Sequence, residues 1–276
     1  MNISISNIAW NPDEDAAVAD LLVRSGVALI DIAPSKYFPA PAEASDADIS
    51  AVRRWWAERG ISVAGMQSLL FGTQGLNVFA DAGTQQRLLD HLRHVFRIGA
   101  ALGATRLVFG SPRNRDRGDL SDEAANTAGA DFFHRAGVLA RSEGVTLCLE
   151  PNPARYGANF MTSTSATAEV VARVGHANVK MQLDTGAILI NGEDPKDILP
   201  RYAPLIGHVH LSEPDLVALG SSGASHEHLA VLLNQYLEAS PFTIEMLRPD
   251  EGLPAIDRAL AFVLARYRRS PGSAYP

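Results

Sequence analysis

The sequence predicts a (β/α)8 TIM barrel, an α/β fold, and three observations carry that expectation. Short β-rich runs alternate with longer amphipathic ones along the chain. Glycines 26, 60, 103, 144 and 175 each stand just past a helical run, where a left-handed residue closes a helix before the next strand. Eight such units in 276 residues make about 34.5 residues per unit, which suits a barrel of this kind.

The units read in order as follows. A strand over 3–9 leads to a helix over 16–24 behind the acidic run DED. A strand over 27–33 precedes a helix over 48–59, whose apolar positions are Val52, Trp55 and Trp56. The third unit pairs 61–68 with a long helix over 85–102. The fourth pairs 106–110 with 122–142, where Ser121 and Asp122 suit the N-cap. The fifth pairs 145–150 with 164–174, for which Thr162, Ser163, Thr164 and Ser165 offer caps. Strands over 179–184, 206–211 and 242–246 precede helices over 195–202, 226–237 and 255–269. A doubly wound open sheet is the structural rival, but the first strand runs into SNIAWNPD and lacks the glycine-rich phosphate turn of that fold. No linker or low-complexity stretch divides the chain. Residues 1–270 are read as one barrel domain and 271–276 as a loose tail.

Composition narrows the function. A hydrophobic fraction of 46% with 20% charged residues suits a soluble globular protein and excludes a disordered chain, a coiled coil or a disulfide scaffold. The net charge of −7 gives no electrostatic reason to hold a phosphate backbone, so no nucleic-acid partner is expected. Cys148 is the single cysteine and cannot form an internal disulfide, which fits a reducing compartment such as the cytoplasm. The opening MNISISNIAW does not read as a signal peptide, and no apolar run approaches the roughly 18 residues of a membrane span.

The chemistry is concentrated at strand ends, where barrels of this type carry their catalytic residues. TLCLEPN ends a strand on Glu150, KMQLDTG on Asp184, HVHLSEP on His210 and FTIEMLRP on Glu245. These are spaced 34, 26 and 35 residues apart, one repeat each, so four consecutive strands supply them. Alternation places Val145, Leu147 and Leu149 on one face, and Thr146, Cys148 and Glu150 on the other. The other three strands alternate in the same way. The apolar faces must meet the helices, so all four candidates point into the barrel mouth, above a polar layer of Cys148, Gln182, His208 and Thr243. Singly, each has a plainer use. Asp184 before Thr-Gly can cap a helix, His210 can be a hydrogen-bonded interior histidine, and the two glutamates can pair with arginines. Together they read as a metal site. Three clustered carboxylates repel one another, and one divalent cation resolves the conflict. Three oxygen ligands and an imidazole suit Mn²⁺, Mg²⁺ or Co²⁺, with Zn²⁺ as an alternative.

The motifs LEPN, QLDTG, HVHL and IEM resemble the xylose isomerase-like TIM-barrel superfamily. That group includes sugar isomerases and epimerases, ketose 3-epimerases, inosose dehydratases and endonuclease IV. The resemblance covers nearly the whole chain, and SNIAW and GMQSLLFG are similar to a bacterial sugar phosphate isomerase/epimerase group. It implies a single divalent metal at the four positions. It also implies that Glu150 and Glu245 act as an acid/base pair on a sugar-like carbonyl substrate through an enediolate, with Asp184 and His210 as structural ligands. Barrels of this family are often dimers or tetramers, so a homo-oligomer is within the expectation. The sequence departs from ketose 3-epimerases at Ala187, where those carry a histidine, and in the loop SEPDLVALGSSGAS, where they carry an arginine. Both departures argue against a simple free ketose.

Further substrate contacts are expected at similar heights. Arg113 and Asn114, with Arg115 and Arg117 in FGSPRNRDRG, suit a phosphate or carboxylate, or equally a solvated loop of mixed charge. Trp10, Lys36, Gln67, Asn152, Glu213 and Arg248 are placed to line the pocket, and His208 lies beneath it. His226 and His228 in SHEHLA fit a helix start, so a capping role is expected for them rather than metal binding. Three other functions compete with the isomerase. A dehydratase of a keto-sugar or inosose shares the first proton abstraction. An endonuclease needs more histidines at strand ends, and a non-catalytic binding barrel does not need an intact ligand set. The single Asp-Thr-Gly lacks the second carboxylate that an aspartic protease requires.

Overall fold

A computed structural model describes residues 3–237 and 240–267. Eight parallel strands close into a barrel in sequence order, with the first hydrogen-bonded to the last. They are β1 (Ile3–Ser6), β2 (Leu29–Ile32), β3 (Ser62–Met66), β4 (Arg106–Phe109), β5 (Thr146–Leu149), β6 (Val179–Asp184), β7 (Ile206–Leu211) and β8 (Phe242–Ile244). The helices are α1 (Asp15–Ser25), α2 (Asp46–Ala57), α3 (Ala82–Leu102), α4 (Asp122–Ser142), α5 (Thr164–Val174), α6 (Thr185–Asn191), α7 (Pro195–Tyr202), α8 (Glu227–Tyr236) and α9 (Leu253–Tyr267). The expected tail over 271–276 and residues 268–269 of the last helix lie outside the described residues. None of the described helices is long and apolar enough to cross a membrane.

Local chemistry sets the boundaries. Ser45, Asp81, Ser121 and Ser163 accept backbone N–H groups as N-caps of α2 to α5. Gly26, Gly103 and Gly175 are left-handed C-caps at φ 67°, 91° and 59°. Gly60 and Gly144 instead follow caps formed by Glu58 and Glu143. The first strand is shorter than the sequence suggests, because Ser6 accepts from the Ile8 N–H and turns 7–9 into a single 3-10 turn. One helix was not expected. α6 starts directly at the end of β6 because the Asp184 carboxylate accepts the Ala187 N–H at 2.6 Å. The apolar run AILI had concealed its helical period.

The core lies between the strands' outer faces and the helices. In α3, Leu88, Leu92, Val95 and Phe96 are fully buried at helical spacing. Along β5 and β6, inward positions rise from Thr146 and Lys180 through Cys148 and Gln182 to Glu150 and Asp184. Two register shifts adjust this alternation, between Met181 and Gln182 of β6 and between Ile30 and Asp31 of β2. Phe133 of α4 is fully buried, edge-on to Phe109 of β4 at 5.2 Å and to Phe132 at 5.5 Å. Replacing it by alanine removes an aromatic wedge that holds α4 on the barrel. Phe133→Ala should lower the unfolding free energy by about 3–5 kcal/mol, as read from urea denaturation.

Candidate metal centre

The ends of β5 to β8 bring four side chains together. One ligand atom from each of Glu150, Asp184, His210 and Glu245 lies within 4.8 Å of all the others. His210 is the hub. Its Nδ1 is 3.3 Å from Glu150 Oε1 and 3.1 Å from Glu245 Oε2. Asp184 and His210 face each other in register across β6 and β7.

Three of the four side chains are held from behind. Asp184 caps α6 and also accepts the Ser212 hydroxyl at 2.7 Å, so the plainer capping reading of this residue is realised and its carboxylate still stands among the other three side chains. Ser212 in turn exchanges hydrogen bonds with Thr185, at 2.7 and 2.8 Å. Gln67 donates to Glu245 Oε1 at 2.6 Å. Asn152 donates to the Gly110 carbonyl at 2.7 Å and lies 3.4 Å from Glu150 Oε2. Arg115, fully buried, donates to the Glu150 backbone carbonyl at 2.6 Å. Burial pulls the Arg115 guanidinium down to about 10, against the opposing pull of Glu150. Gly110 is required by close approach, since a Cβ there would collide with the Glu150 carboxylate.

The electrostatics show a cluster short of positive charge. Burial, then Glu245 and Glu150, push the Asp184 carboxyl up to about 8. Burial opposes charge on His210, yet Glu245 and Glu150 outweigh it and hold the imidazole well above its ordinary value. Burial likewise works against ionised Glu245, but His210 and Gln67 keep its carboxyl below the usual range. Three gathered carboxylates with one imidazole therefore fit a divalent cation, and the oxygen-rich donor set fits Mn²⁺, Mg²⁺ or Co²⁺.

A cavity of about 550 Å³ opens beside the centre. Gln67, Phe71, Arg113 and Asn152 line it together with Glu150, His210 and Glu245. A second depression reaches Asp184 from the other side, between Tyr156 and Leu247. Arg113 contributes the one guanidinium among the described lining residues of the main cavity and donates to the Thr73 carbonyl at 2.8 Å.

Six expected contacts do not reach this cavity. Trp10 is buried and its indole donates to Asp15 at 2.7 Å. The Lys36 ammonium is taken by the backbone carbonyls of Asn7 and Trp10. Asn114 ties two loops together, accepting from Ser111 at 2.6 Å and donating to Leu76 at 2.8 Å. Arg248 turns outward to Glu14 at 2.8 Å. His208 sits below the mouth, 2.7 Å from Asp31. Glu213 is fully buried and accepts the N–H groups of Gly220 and Ser222 at 2.7 and 2.9 Å. In each case a nearer partner takes the side chain. His226 is also corrected. It stands at the N-cap position of α8 but caps nothing, lying 2.7 Å from the Tyr267 hydroxyl and 3.1 Å from Glu213. Asp31 and Ser212 were missed. Asp31 carried a signal, as the one charge in the apolar strand ALIDIA.

The comparisons place this barrel. The family model described as "Xylose isomerase-like TIM barrel" matches residues 19–264, so the chain belongs to that family. A putative hydroxypyruvate isomerase from Danio rerio is 30% identical over 146 residues, 51% of this chain and 52% of that protein. An inosose dehydratase from Bacillus cereus is 33% identical over 87 residues, 30% of this chain and 27% of that protein. The chain thus matches about half or less of the length of these relatives. A D-psicose 3-epimerase structure with D-tagatose from Clostridium cellulolyticum superposes with a TM-score of 0.80, at 17% identity, covering 97% of this chain and 98% of that one.

The buried triplet of Glu213, His226 and Tyr267 closes the β7–α8 loop onto α9. His226→Ala strips a partner from two buried polar groups. It should cost about 1–3 kcal/mol of stability, measured by urea denaturation. An unchanged midpoint would show that other contacts hold the loop.

Proposed function

We propose that the protein is a divalent-metal-dependent isomerase or epimerase acting on a sugar or sugar-like carbonyl compound. The observation that carries this is the convergence of Glu150, Asp184, His210 and Glu245 beside a cavity of about 550 Å³. The four residues would hold the ion, which when bound supplies positive charge to the developing oxyanion of the substrate.

The chain's own residues supply the proton chemistry. A carbonyl activates its neighbouring C–H bond. One glutamate takes that proton, the C–H electron pair moves into a C=C bond, and the carbonyl oxygen gains the negative charge. Return of a proton to the other carbon, with the hydroxyl proton of the first carbon passing to the former carbonyl oxygen, gives isomerisation, and return to the opposite face of the same carbon gives epimerisation. Glu150 and Glu245 reach the site from β5 and β8 and would be the donor and acceptor. Gln67 and Asn152 fix the orientation of these carboxylates. Arg113 lines the cavity and suits a carboxylate or phosphate on the substrate.

A dehydratase is the second reading, favoured by the inosose dehydratase relatives. It shares the proton abstraction and differs in expelling a hydroxyl from the adjacent carbon. The acidic net charge of −7 and the single-imidazole ligand set weigh against a nuclease. A reducing compartment suits the free, buried Cys148 thiol, which supports a cytoplasmic location.

Elemental analysis of the purified protein should find about one divalent ion per chain. No ion, together with no thermal shift on adding Mn²⁺, Mg²⁺ or Co²⁺, would sink the metal reading. Glu150→Gln and Glu245→Gln should each abolish deuterium exchange from solvent into the reacting carbon. Suitable panels are ketoses, sugar phosphates and inososes, followed by NMR. Wild-type exchange in both variants would remove the two glutamates from the acid/base role.

A further inference from the structure

We infer that Asp31 is a positioning residue of the metal centre: its carboxylate serves the ring nitrogen of His210 that faces away from the ion, and it fixes His208 beside it. The inference rests on the metal reading above and concerns a residue outside the four ligands.

The geometry starts at His210, which belongs to two clusters. Its Nδ1 faces Glu150 and Glu245. Its Nε2 is buried, has no hydrogen-bond partner, and lies 4.0 Å from Asp31 Oδ2. Asp31, His208 and His210 form the second group of ligand-type atoms within 4.8 Å of one another. All three are fully buried.

A neutral imidazole has one free lone pair and one N–H. A cation bound at Nδ1 takes the lone pair, so the proton must sit on Nε2. An N–H in a dry interior needs an acceptor, and a carboxylate is a strong one. Asp31 is the carboxylate on that side. A movement of about 1 Å would bring the pair to hydrogen-bonding distance. With a cation held at Nδ1, a carboxylate at Nε2 would fix the ring's tautomer and raise its basicity as a ligand.

The surroundings hold Asp31 for this task. Ser4 donates to Oδ1 at 3.1 Å, and His208 Nε2 lies 2.7 Å from Oδ2. The register shift in β2 sets Asp31 opposite Gly65 of β3. A Cβ at position 65 would lie 2.6 Å from Asp31 Oδ2. The glycine thus leaves room for the carboxylate. If Asp31 served only His208, the His210 Nε2 would remain unpaired in the core. A separate ion between Asp31 and His208 is disfavoured, because 2.7 Å is a hydrogen-bond length that leaves no space for one.

The test is a Mn²⁺ titration of the wild type, Asp31→Asn and Gly65→Ala, read by calorimetry, with circular dichroism to establish folding. Asp31→Asn should weaken Mn²⁺ binding by about 10–100-fold. Gly65→Ala removes no polar group but displaces the carboxylate, and should weaken binding in the same direction. Heteronuclear NMR of the Mg²⁺-loaded wild type should show the His210 Nε2–H shifted far downfield, as an N–H donated to a carboxylate is, a signature that loss of packing alone would not produce; an unshifted Nε2–H overturns the inference. Folded variants that bind Mn²⁺ as tightly as the wild type overturn the inference while leaving the metal reading intact. A proton on Nδ1 overturns it as well, and this measurement decides the matter if neither variant folds. A wild type that binds no metal overturns both.

Discussion

Like charges held close together are the constraint on which the rest of this barrel mouth depends. Glu150, Asp184 and Glu245 stand around His210 within 4.8 Å, in surroundings that penalise charge. No single contact makes this tolerable. The cost is spread over the Ser212 hydroxyl and Ala187 N–H at Asp184, the Gln67 amide at Glu245, and the Asn152 amide at Glu150. Closing the sheet is what makes such spreading possible. Four adjacent strand ends converge on one axis, and the segments after β5, β6 and β7, with Gln67 after β3, supply the donors.

Asp184 shows how little separates a structural role from a chemical one. One of its oxygens starts α6 and the other takes the Ser212 hydroxyl. The carboxylate is thereby fixed in place by two neighbouring strands before any ligand arrives. Thr185 and Ser212 exchange two more hydrogen bonds just beyond it, so the ends of β6 and β7 are clasped into one piece. Preorganisation of this kind lowers the cost of ordering a site when it binds.

The parts that were legible in the sequence were those governed by period and spacing. The eight units and the convergence of Glu150, Asp184, His210 and Glu245 follow from repeats of about 34 residues and the two-residue alternation of strands, and the caps Ser121 and Ser163 from residue type before a helical run. Direction was not legible. Trp10, Asn114 and Glu213 are captured by partners a few residues away, at Asp15, Ser111 and the Gly220 and Ser222 N–H groups, whereas Lys36 and Arg248 are captured by partners that only the folded chain brings near. Arg248 meets Glu14, which is 234 residues away in the chain. Asp31 failed for a different reason. Strand alternation in ALIDIA marks it as a lone carboxylate on an apolar strand, but it lies in the first half of the chain, away from the four strand ends of the second half.

The lining of the main cavity divides along the chain. The carboxylates and the imidazole hang from β5 to β8, whereas Gln67, Phe71, Thr73 and Arg113 come from the segments after β3 and β4. The charged groups and most of the remaining lining are therefore encoded in separate stretches of the gene. Drift in residues 68–74 or 111–113 can reshape the cavity while the charged half is inherited unchanged. A scaffold divided in this way can found many lineages, each keeping one chemistry and exploring new diets.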